Sequence, residues 1–199
     1  MTYIISQGRG IGIPDLLQIY PSVSTGLLPT GIGNLPGATY EPQLGEIVTA
    51  YDTAANAAAT GAGGYGEFIL LAVPTSTTTT LGLCYYWNPA TYQIIVVPGT
   101  ISTTVSGTPI AWAINSVTSQ SYVQYAWFQI GGRCTALKTA VQVLPNVPIY
   151  VSATNGRIKV LLSTFRSILG ARTANATTVT STTSTVAIYI QRPIIQPSQ

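Results

Sequence analysis

Residue types that carry acid–base, nucleophilic or metal chemistry are scarce in this chain. None of its 199 residues is histidine, which excludes Ser-His and Cys-His catalysis and histidine-ligated metals. Paired carboxylates can hydrolyse glycosides, and the nearest pairs in sequence are Glu41 with Glu46 or Asp52. These acids lie in or beside a glycine- and proline-rich segment, where a dry and shaped pocket is hard to build. We therefore expect no catalytic residue and a protein that is not an enzyme.

Two cysteines and one glycine-rich motif are the remaining candidates for redox, metal or phosphate chemistry. Cys84 and Cys134 are far apart in the sequence and lack the CxxC spacing of zinc sites. Buried reduced thiols are the favoured interpretation, and a cross-strand disulfide is the alternative. The motif GRGIG at residues 8–12 is similar to a phosphate loop, but no Lys-Ser or Lys-Thr follows it. We expect no metal and no cofactor.

The composition favours a structured protein whose surface is covered by partners. Hydrophobic residues make up 46% of the chain and charged residues only 7%, against a charged share of about 25% in typical domains. This is the reverse of a disordered composition. A surface with few charges gives little colloidal repulsion, so it suits a subunit held in an array. An ordinary extracellular β-domain with a neutral surface is the alternative.

The charges are segregated along the chain. One cation and five acids give a net charge of −4 up to Glu67, and seven cations without an acid give +7 after it, which together make the net charge of +3. Segregation of this kind favours complementary docking of the N-terminal part, either onto its own body or onto a neighbour. The seven later cations form no run, so we expect no nucleic-acid partner.

Residues 1–40 are predicted to form a long extended arm. Glycine and proline recur through this segment, and neither a regular helix nor a central strand persists through such spacing. Short apolar groups in the arm still need burial, so we expect it to lie along a surface. Residues 41–199 are predicted to form one β-domain, in which residues 41–66 are a loop-rich leading segment. A short helical turn at residues 54–59, followed by a glycine loop, is expected there.

The rest of the chain reads as short strands separated by turn residues. Each run is rich in β-branched or aromatic residues, and no helical pattern intervenes, which predicts an all-β fold: an antiparallel β-sandwich or barrel. Gly131 and Gly132 are predicted to form a tight hairpin turn. No apolar run approaches the length of a membrane span, so no membrane partner is expected. The predicted runs are residues 68–73, 81–87, 92–97, 110–114, 122–130, 133–137, 149–152, 167–170 and 186–191.

Aromatic residues within these runs have two interpretations. Tyr125, Trp127 and Phe128 are expected to be anchors of the core or of an interface, because they alternate along a predicted strand. The alternative is a carbohydrate-stacking platform that also includes Tyr85, Tyr86 and Trp87.

Residues 41–193 resemble a family of tailed-bacteriophage virion proteins that decorate, or cement, the head. The matching elements occur in the family's order: PQLGEIV (42–48), Asp52, the alanine- and glycine-rich loop, GYGEFILL (64–71), YAWFQIGG (125–132), IYVSATNGR (149–157), RSILGA (166–171) and VAIYIQRP (186–193). The forty-residue arm and the scarcity of charge after Glu67 depart from the family's pattern.

The resemblance implies a β-rich, non-catalytic structural protein of the virion. Its partners would be the major capsid protein and further copies of itself, with a trimer favoured. It would be made in the host cytoplasm, since no signal peptide is evident, and would act on the capsid surface. A neck, tail or head-fibre component and a carbohydrate-binding β-module are the alternatives. The arm would contact the capsid or a neighbouring subunit through Arg9, Asp15, Leu16, Leu17, Tyr20, Leu27, Leu28 and Tyr40.

Overall fold

The structure is a computed structural model that describes residues 3–7, 19–21, 43–52, 64–99, 107–160 and 167–196. The predicted all-β fold is confirmed: the sheet is antiparallel and curls into a half-barrel. Within these residues there is no helix long and apolar enough to cross a membrane. The strands are β1 (Tyr3–Gln7), β2 (Tyr20–Pro21), β3 (Ile47–Asp52), β4 (Gly64–Val73), β5 (Cys84–Trp87), β6 (Ile94–Val96), β7 (Ile110–Ala113), β8 (Gln124–Leu137), β9 (Pro148–Val151), β10 (Ile158–Lys159), β11 (Ser167–Thr173) and β12 (Thr185–Ile195).

The 14-residue strand β8 is the long central strand of the sheet. One of its edges pairs with β4. The other edge is shared in turn by β2, β7 and β12. Beyond β12 the sheet continues through β11 and β9 to β10, and beyond β4 it continues through β3 to β1. A single long strand therefore joins two groups of strands that face different cores.

The predicted hairpin at Gly131 and Gly132 was wrong, because β8 continues through both glycines without reversing direction. A bulge replaces the turn: Phe68 pairs with Gln129, whereas Glu67 pairs with Gly131, so Ile130 is the extra residue. Gly132 does adopt the left-handed conformation expected of a glycine, with φ +89°. That conformation bends a continuous strand here instead of reversing the chain.

The side chain of Gln129 closes the bulge from within the core. Its Nε2 atom donates hydrogen bonds to the carbonyl oxygens of Gly131 (2.9 Å) and Arg133 (3.0 Å). These bonds link the side chain to two backbone acceptors on either side of Gly132. Gln129 is itself buried, so the bend is fixed by a satisfied polar contact in the interior.

Three apolar clusters pack against this frame. One lies between β4, β8 and the β5–β7 pair, where the Tyr85 and Phe128 rings meet edge to face at 5.7 Å. A second lies between β5 and β7 on one side and the curled strands β8, β12, β11, β9 and β10 on the other. The third covers the opposite face of β3, β4 and β8 and contains Trp127. Both faces of residues 68–73 of β4 and 124–130 of β8 are thus buried, which explains the almost continuous apolar sequence of these two stretches.

Lys138, the residue after β8, is buried although it carries a charge; its exposed fraction is 1%. Its Nζ donates to three backbone carbonyls, those of Val141 (2.8 Å), Thr180 (3.0 Å) and Thr139 (3.3 Å). Burial lowers the pKa of this amine. The three bonds tie the threonine-rich loop before β12 to the end of β8.

Of the predicted arm at residues 1–40, the structure describes residues 3–7 and 19–21. Of residues 1–40, β1 pairs with β3 and β2 pairs with β8, so the described parts of the predicted arm belong to the chain's own sheet. In the leading segment, residues 47–52 form β3, while Gly64 and Gly66 belong to β4 and not to a loop. The helical turn predicted at residues 54–59 lies outside the described residues.

Both cysteines are free and buried in one cluster, as the favoured interpretation expected. Burial raises the pKa of Cys84 to about 12, and it also raises the pKa of Cys134. Neither thiol is therefore suited to act as a nucleophile at neutral pH, because the thiolate is the reactive form.

Gly132→Ala is predicted to destabilise the protein far more than Gly64→Ala. The two glycines have nearly the same φ, +89° and +88°, so both substitutions carry a left-handed strain of about 1–2 kcal/mol. A Cβ on Gly132 would also meet the carbonyl oxygen of Tyr65 at 2.1 Å, whereas one on Gly64 meets nothing within 4 Å. We expect at least about 2 kcal/mol of additional loss for Gly132→Ala, measured by urea unfolding. Equal losses in the two variants would contradict the close approach of β4 to β8.

The buried thiols predict a loss of stability at alkaline pH. Their raised pKa values mean that above the ordinary thiol value of 9.0 the unfolded chain releases protons that the folded chain retains. Their contribution is complete below that pH and falls above it, by up to about 1.4 kcal/mol per pH unit for each thiol. Lys138 acts in the opposite direction because its pKa is lowered.

Cys84→Ala isolates this effect. Urea unfolding under reducing conditions is measured at several pH values above 9.0. The variant is expected to lose stability at every pH through the smaller side chain, but its stability should fall less steeply with pH than that of the parent protein. An unchanged slope would mean that Cys84 does not titrate in the unfolding equilibrium.

Candidate protein interaction surface

The sequence-predicted aromatic anchors are placed mainly in the core. Trp127 and Phe128 are buried, and Tyr125 is half-buried against the cluster that contains Trp127. Of the predicted arm residues, Tyr20 lies in β2, where its backbone pairs with that of Tyr125. The other predicted arm contacts lie outside the described residues: Arg9, Asp15, Leu16, Leu17, Leu27, Leu28 and Tyr40.

The aromatics considered for carbohydrate stacking do not form an open platform. Tyr85 is buried with Trp127 and Phe128, while Tyr86 and Trp87 are half-buried. The Trp87 ring is stacked at 5.7 Å on Tyr92 of its own chain. Within the described ranges there is also no group of three or more cysteine, aspartate or glutamate side chains that could hold a metal ion.

A row of alternating tyrosine and arginine residues crosses the outer face of four neighbouring strands. Arg133 of β8 lies opposite Tyr189 of β12, and Tyr189 lies opposite Arg172 of β11. Tyr65 of β4 extends the row: Gly66 pairs with Gly132 in an antiparallel ladder, so Tyr65, which precedes Gly66, lies beside Arg133, which follows Gly132. These four side chains, Tyr65, Arg133, Tyr189 and Arg172, are called the Tyr–Arg row.

Strand periodicity places the row on the outer face. In β12 the alternate residues Ile188 and Ile190 are buried in the core, so Tyr189 between them points away from it. Cys134, the neighbour of Arg133, pairs with Ile188 and is likewise buried. The same register thus packs the core on one side of the sheet and displays the row on the other.

The row is exposed, and one of its members is anchored. Tyr65 and Tyr189 are 55% and 50% exposed, and Arg172 is also exposed. Arg133 is half-buried; its Nη2 donates to the carbonyl of Ala174 at 3.0 Å, and its Nε has no acceptor among the described residues. Anchoring the guanidinium reduces the conformational entropy that a partner must remove on binding.

An ion pair lies beside the row. The Arg192 Nε atom is 3.2 Å from Glu67 Oε2, and Arg192 Nη2 is 3.5 Å from Glu67 Oε1. Glu67 of β4 reaches β12 across Gly131, where a Cβ would lie 2.9 Å from the carboxylate. Arg192 has φ +42°, which is strained for a residue with a side chain. The ion pair therefore depends on the bulge, on the absence of a side chain at Gly131 and on the strained backbone of Arg192. It joins an acid of the N-terminal part of the sequence to a cation of the C-terminal part.

The surface beside the row is basic. The sequence has no acid after Glu67, and the carboxylate of Glu67 is bound to Arg192. Lys159 of β10, opposite Tyr150 of β9, adds a further cation to the same outer face. Guanidinium groups bind carboxylates through paired hydrogen bonds, and tyrosine and arginine are enriched at protein interfaces. The arrangement can therefore bind an acidic surface of another protein.

Sequence reasoning missed the row. The alternation of apolar and polar residues in β12 was visible and indicates that Tyr189 faces outward. What the sequence did not supply was the register, which brings together residues from positions 65, 133, 172 and 189. Their tyrosine–arginine alternation exists only across the strands.

Comparison with known proteins finds no protein-family model that matches the chain and no curated protein similar to it.

The Glu67–Arg192 pair is predicted to contribute little to stability. The two side chains are 29% and 66% exposed, and exposed ion pairs contribute about 0.2–1 kcal/mol. A double-mutant cycle with Glu67→Gln and Arg192→Gln, measured by urea unfolding, should give a coupling free energy in that range. The coupling should shrink in concentrated salt. A coupling that is large and independent of salt would contradict a solvent-exposed pair.

Proposed function

We propose that this protein is a structural subunit of a virion, which binds the outside of an assembled tailed-phage head and stabilises it by bridging capsomers. The single observation that carries the binding role is the exposed Tyr–Arg row on strands whose other face packs against a buried apolar cluster. The ordered resemblance of residues 41–193 to head-decoration proteins supports the choice of the phage head as the assembly.

The composition supports a role that depends on contact with other proteins. A chain with 7% charged residues has little charge with which to keep copies apart in solution. A standard interface buries about 800 Å² on each partner. An oligomer that touches several capsomers at once gains further through effective concentration, so that individually weak contacts hold the shell together.

A neck, tail or head-fibre component is the second proposal of the same class. The two differ in copy number and position, since decoration places many copies over the head and a tail component places few at one vertex. Image reconstruction of virions labelled on this chain distinguishes them.

Co-sedimentation with undecorated heads tests the proposal. The heads are assembled from the major capsid protein of the same genome. We expect saturable binding of the full chain, with a fixed number of copies per head. Tyr189→Ala should weaken binding by about tenfold or more if the row lies in an interface.

The control for that variant is Tyr122→Ala. Tyr122 is 44% exposed, close to the 50% of Tyr189, but it lies in the loop before β8 and outside the row. We expect its binding to match that of the parent protein. A folded parent protein that ignores the heads at all concentrations would contradict the proposed function.

A further inference from the structure

We propose that the Tyr–Arg row binds a proline-rich segment of another protein that ends in acidic residues. The prolines contact the two tyrosines, the carboxylates bind the two arginines, and the segment lies across the strands as a polyproline II helix. The inference rests on the proposed function in one respect, since both take the row to be a protein-binding surface. It adds the chemistry of the partner segment at that surface.

The two tyrosines are spaced like successive turns of a polyproline II helix. Tyr65 of β4 and Tyr189 of β12 lie on either side of Arg133 in β8, so two strand spacings of about 4.8 Å each, together about 9.6 Å, separate their backbones. A polyproline II helix has three residues per turn and rises about 3.1 Å per residue, so every third residue presents the same face about 9.3 Å further on. Prolines three residues apart can therefore meet the two rings in register.

Both guanidinium groups lie toward the same end of the row. Arg172 is exposed on β11, the last strand of the row. Arg133 starts from β8, but its Nη2 donates to the carbonyl of Ala174 at 3.0 Å. Ala174 follows β11, and its amide donates to the carbonyl of Ala187 in β12. The side chain of Arg133 therefore crosses β12 toward the end of β11, and with Arg172 it makes this end of the row cationic.

The charges at the opposite end of the row are already paired. Glu67 follows Tyr65 by two residues on β4, so both side chains project from the same face of the strand. The carboxylate of Glu67 is bound to Arg192, with Nε 3.2 Å from Oε2. A single-stranded nucleic acid needs cations along its whole length, whereas a segment that is neutral on the tyrosines and acidic beyond them complements both ends of the row.

The outer face of the sheet favours a polyproline II segment over an added strand. At the row, β8 lies between β4 and β12, and β12 lies between β8 and β11. Their backbone groups are engaged in these ladders, so an added strand has no free edge to join. A polyproline II helix needs no such edge, because it has no internal hydrogen bonds and its backbone stays hydrated. It is also preformed, and exposed aromatic rings are its usual receptors.

Titration of the full chain with dye-labelled peptides, followed by fluorescence anisotropy, tests this inference. The first peptide is a run of prolines that ends in two glutamates, and the second replaces the prolines with glycine and serine. We expect the first to bind at least about tenfold more tightly, because the flexible peptide loses more conformational entropy on binding. A third peptide, in which two lysines replace the glutamates, should not bind. Equal affinity for the first two peptides would overturn the inference, as would equal affinity for a helical peptide that ends in the same two acids.

Two pairs of variants assign the two ends of the row. Tyr65→Ala should abolish the preference for the proline-rich peptide, while Tyr122→Ala, with a tyrosine outside the row, should keep it. Arg172→Gln should weaken the binding of both acidic peptides by about tenfold. Lys159→Gln removes a cation of the same outer face outside the row and should have little effect. Tyr65, Tyr122 and Arg172 are exposed and Lys159 is half-buried, so the variants should remain folded. Full retention of the preference in Tyr65→Ala would contradict the assignment.

The two proposals fail in different ways. A parent protein that binds heads but does not prefer the proline-rich acidic peptide overturns the inference and leaves the proposed function standing. A parent protein that shows this preference, and loses it on Tyr65→Ala, but never binds heads supports the inference and contradicts the decoration role. Tighter binding of a single-stranded oligonucleotide than of the proline-rich acidic peptide would make the row a nucleic-acid surface and overturn the inference.

Discussion

The rest of the structure depends on the bend of β8 at Ile130, Gly131 and Gly132. Before the bend, β8 pairs with β7, and after it the same edge pairs with β12. The bend needs a residue at φ +89° and space for the backbone of Tyr65, both of which Gly132 provides. The buried side chain of Gln129 also donates hydrogen bonds to the carbonyls of Gly131 and Arg133 beside the bulge. The two halves of β8 can thereby pack against two different apolar clusters.

The same bend positions the candidate surface. β12 pairs with β8 from Gly131 onward, which places Arg133 opposite Tyr189, and the alternation continues to Arg172. Gly131 leaves room for Glu67 to reach Arg192 beside this row. A side chain at Gly131 or Gly132 would thus disturb both the strand pairing and the exposed face. The register of the sheet therefore determines which residues pack in the core and which lie in the row.

The all-β class and most strands were predictable, because β-branched and aromatic runs between turn residues have a strong local signal. The bend was not, since Gly131-Gly132 has the same local sequence whether the chain reverses or continues, and pairing with β4 and β12 decides between the two. Burial of Lys138 was equally hard to predict, because its three partners are backbone carbonyls from two loops, one of which lies about forty residues further along the chain. The Tyr–Arg row follows from long-range register, which a single sequence does not contain.

The central claim is that the Tyr–Arg row is a protein-binding surface. Chemical labelling of tyrosine, read residue by residue by mass spectrometry, tests it most directly in the protein alone at low concentration and in its assembled state. Tyr65, Tyr189 and Tyr122 are 55%, 50% and 44% exposed in the single chain, so they should react comparably when the protein is dissociated. On assembly, the account predicts protection of Tyr65 and Tyr189 with Tyr122 still reactive. Undiminished labelling of Tyr65 and Tyr189 in the assembly would contradict it.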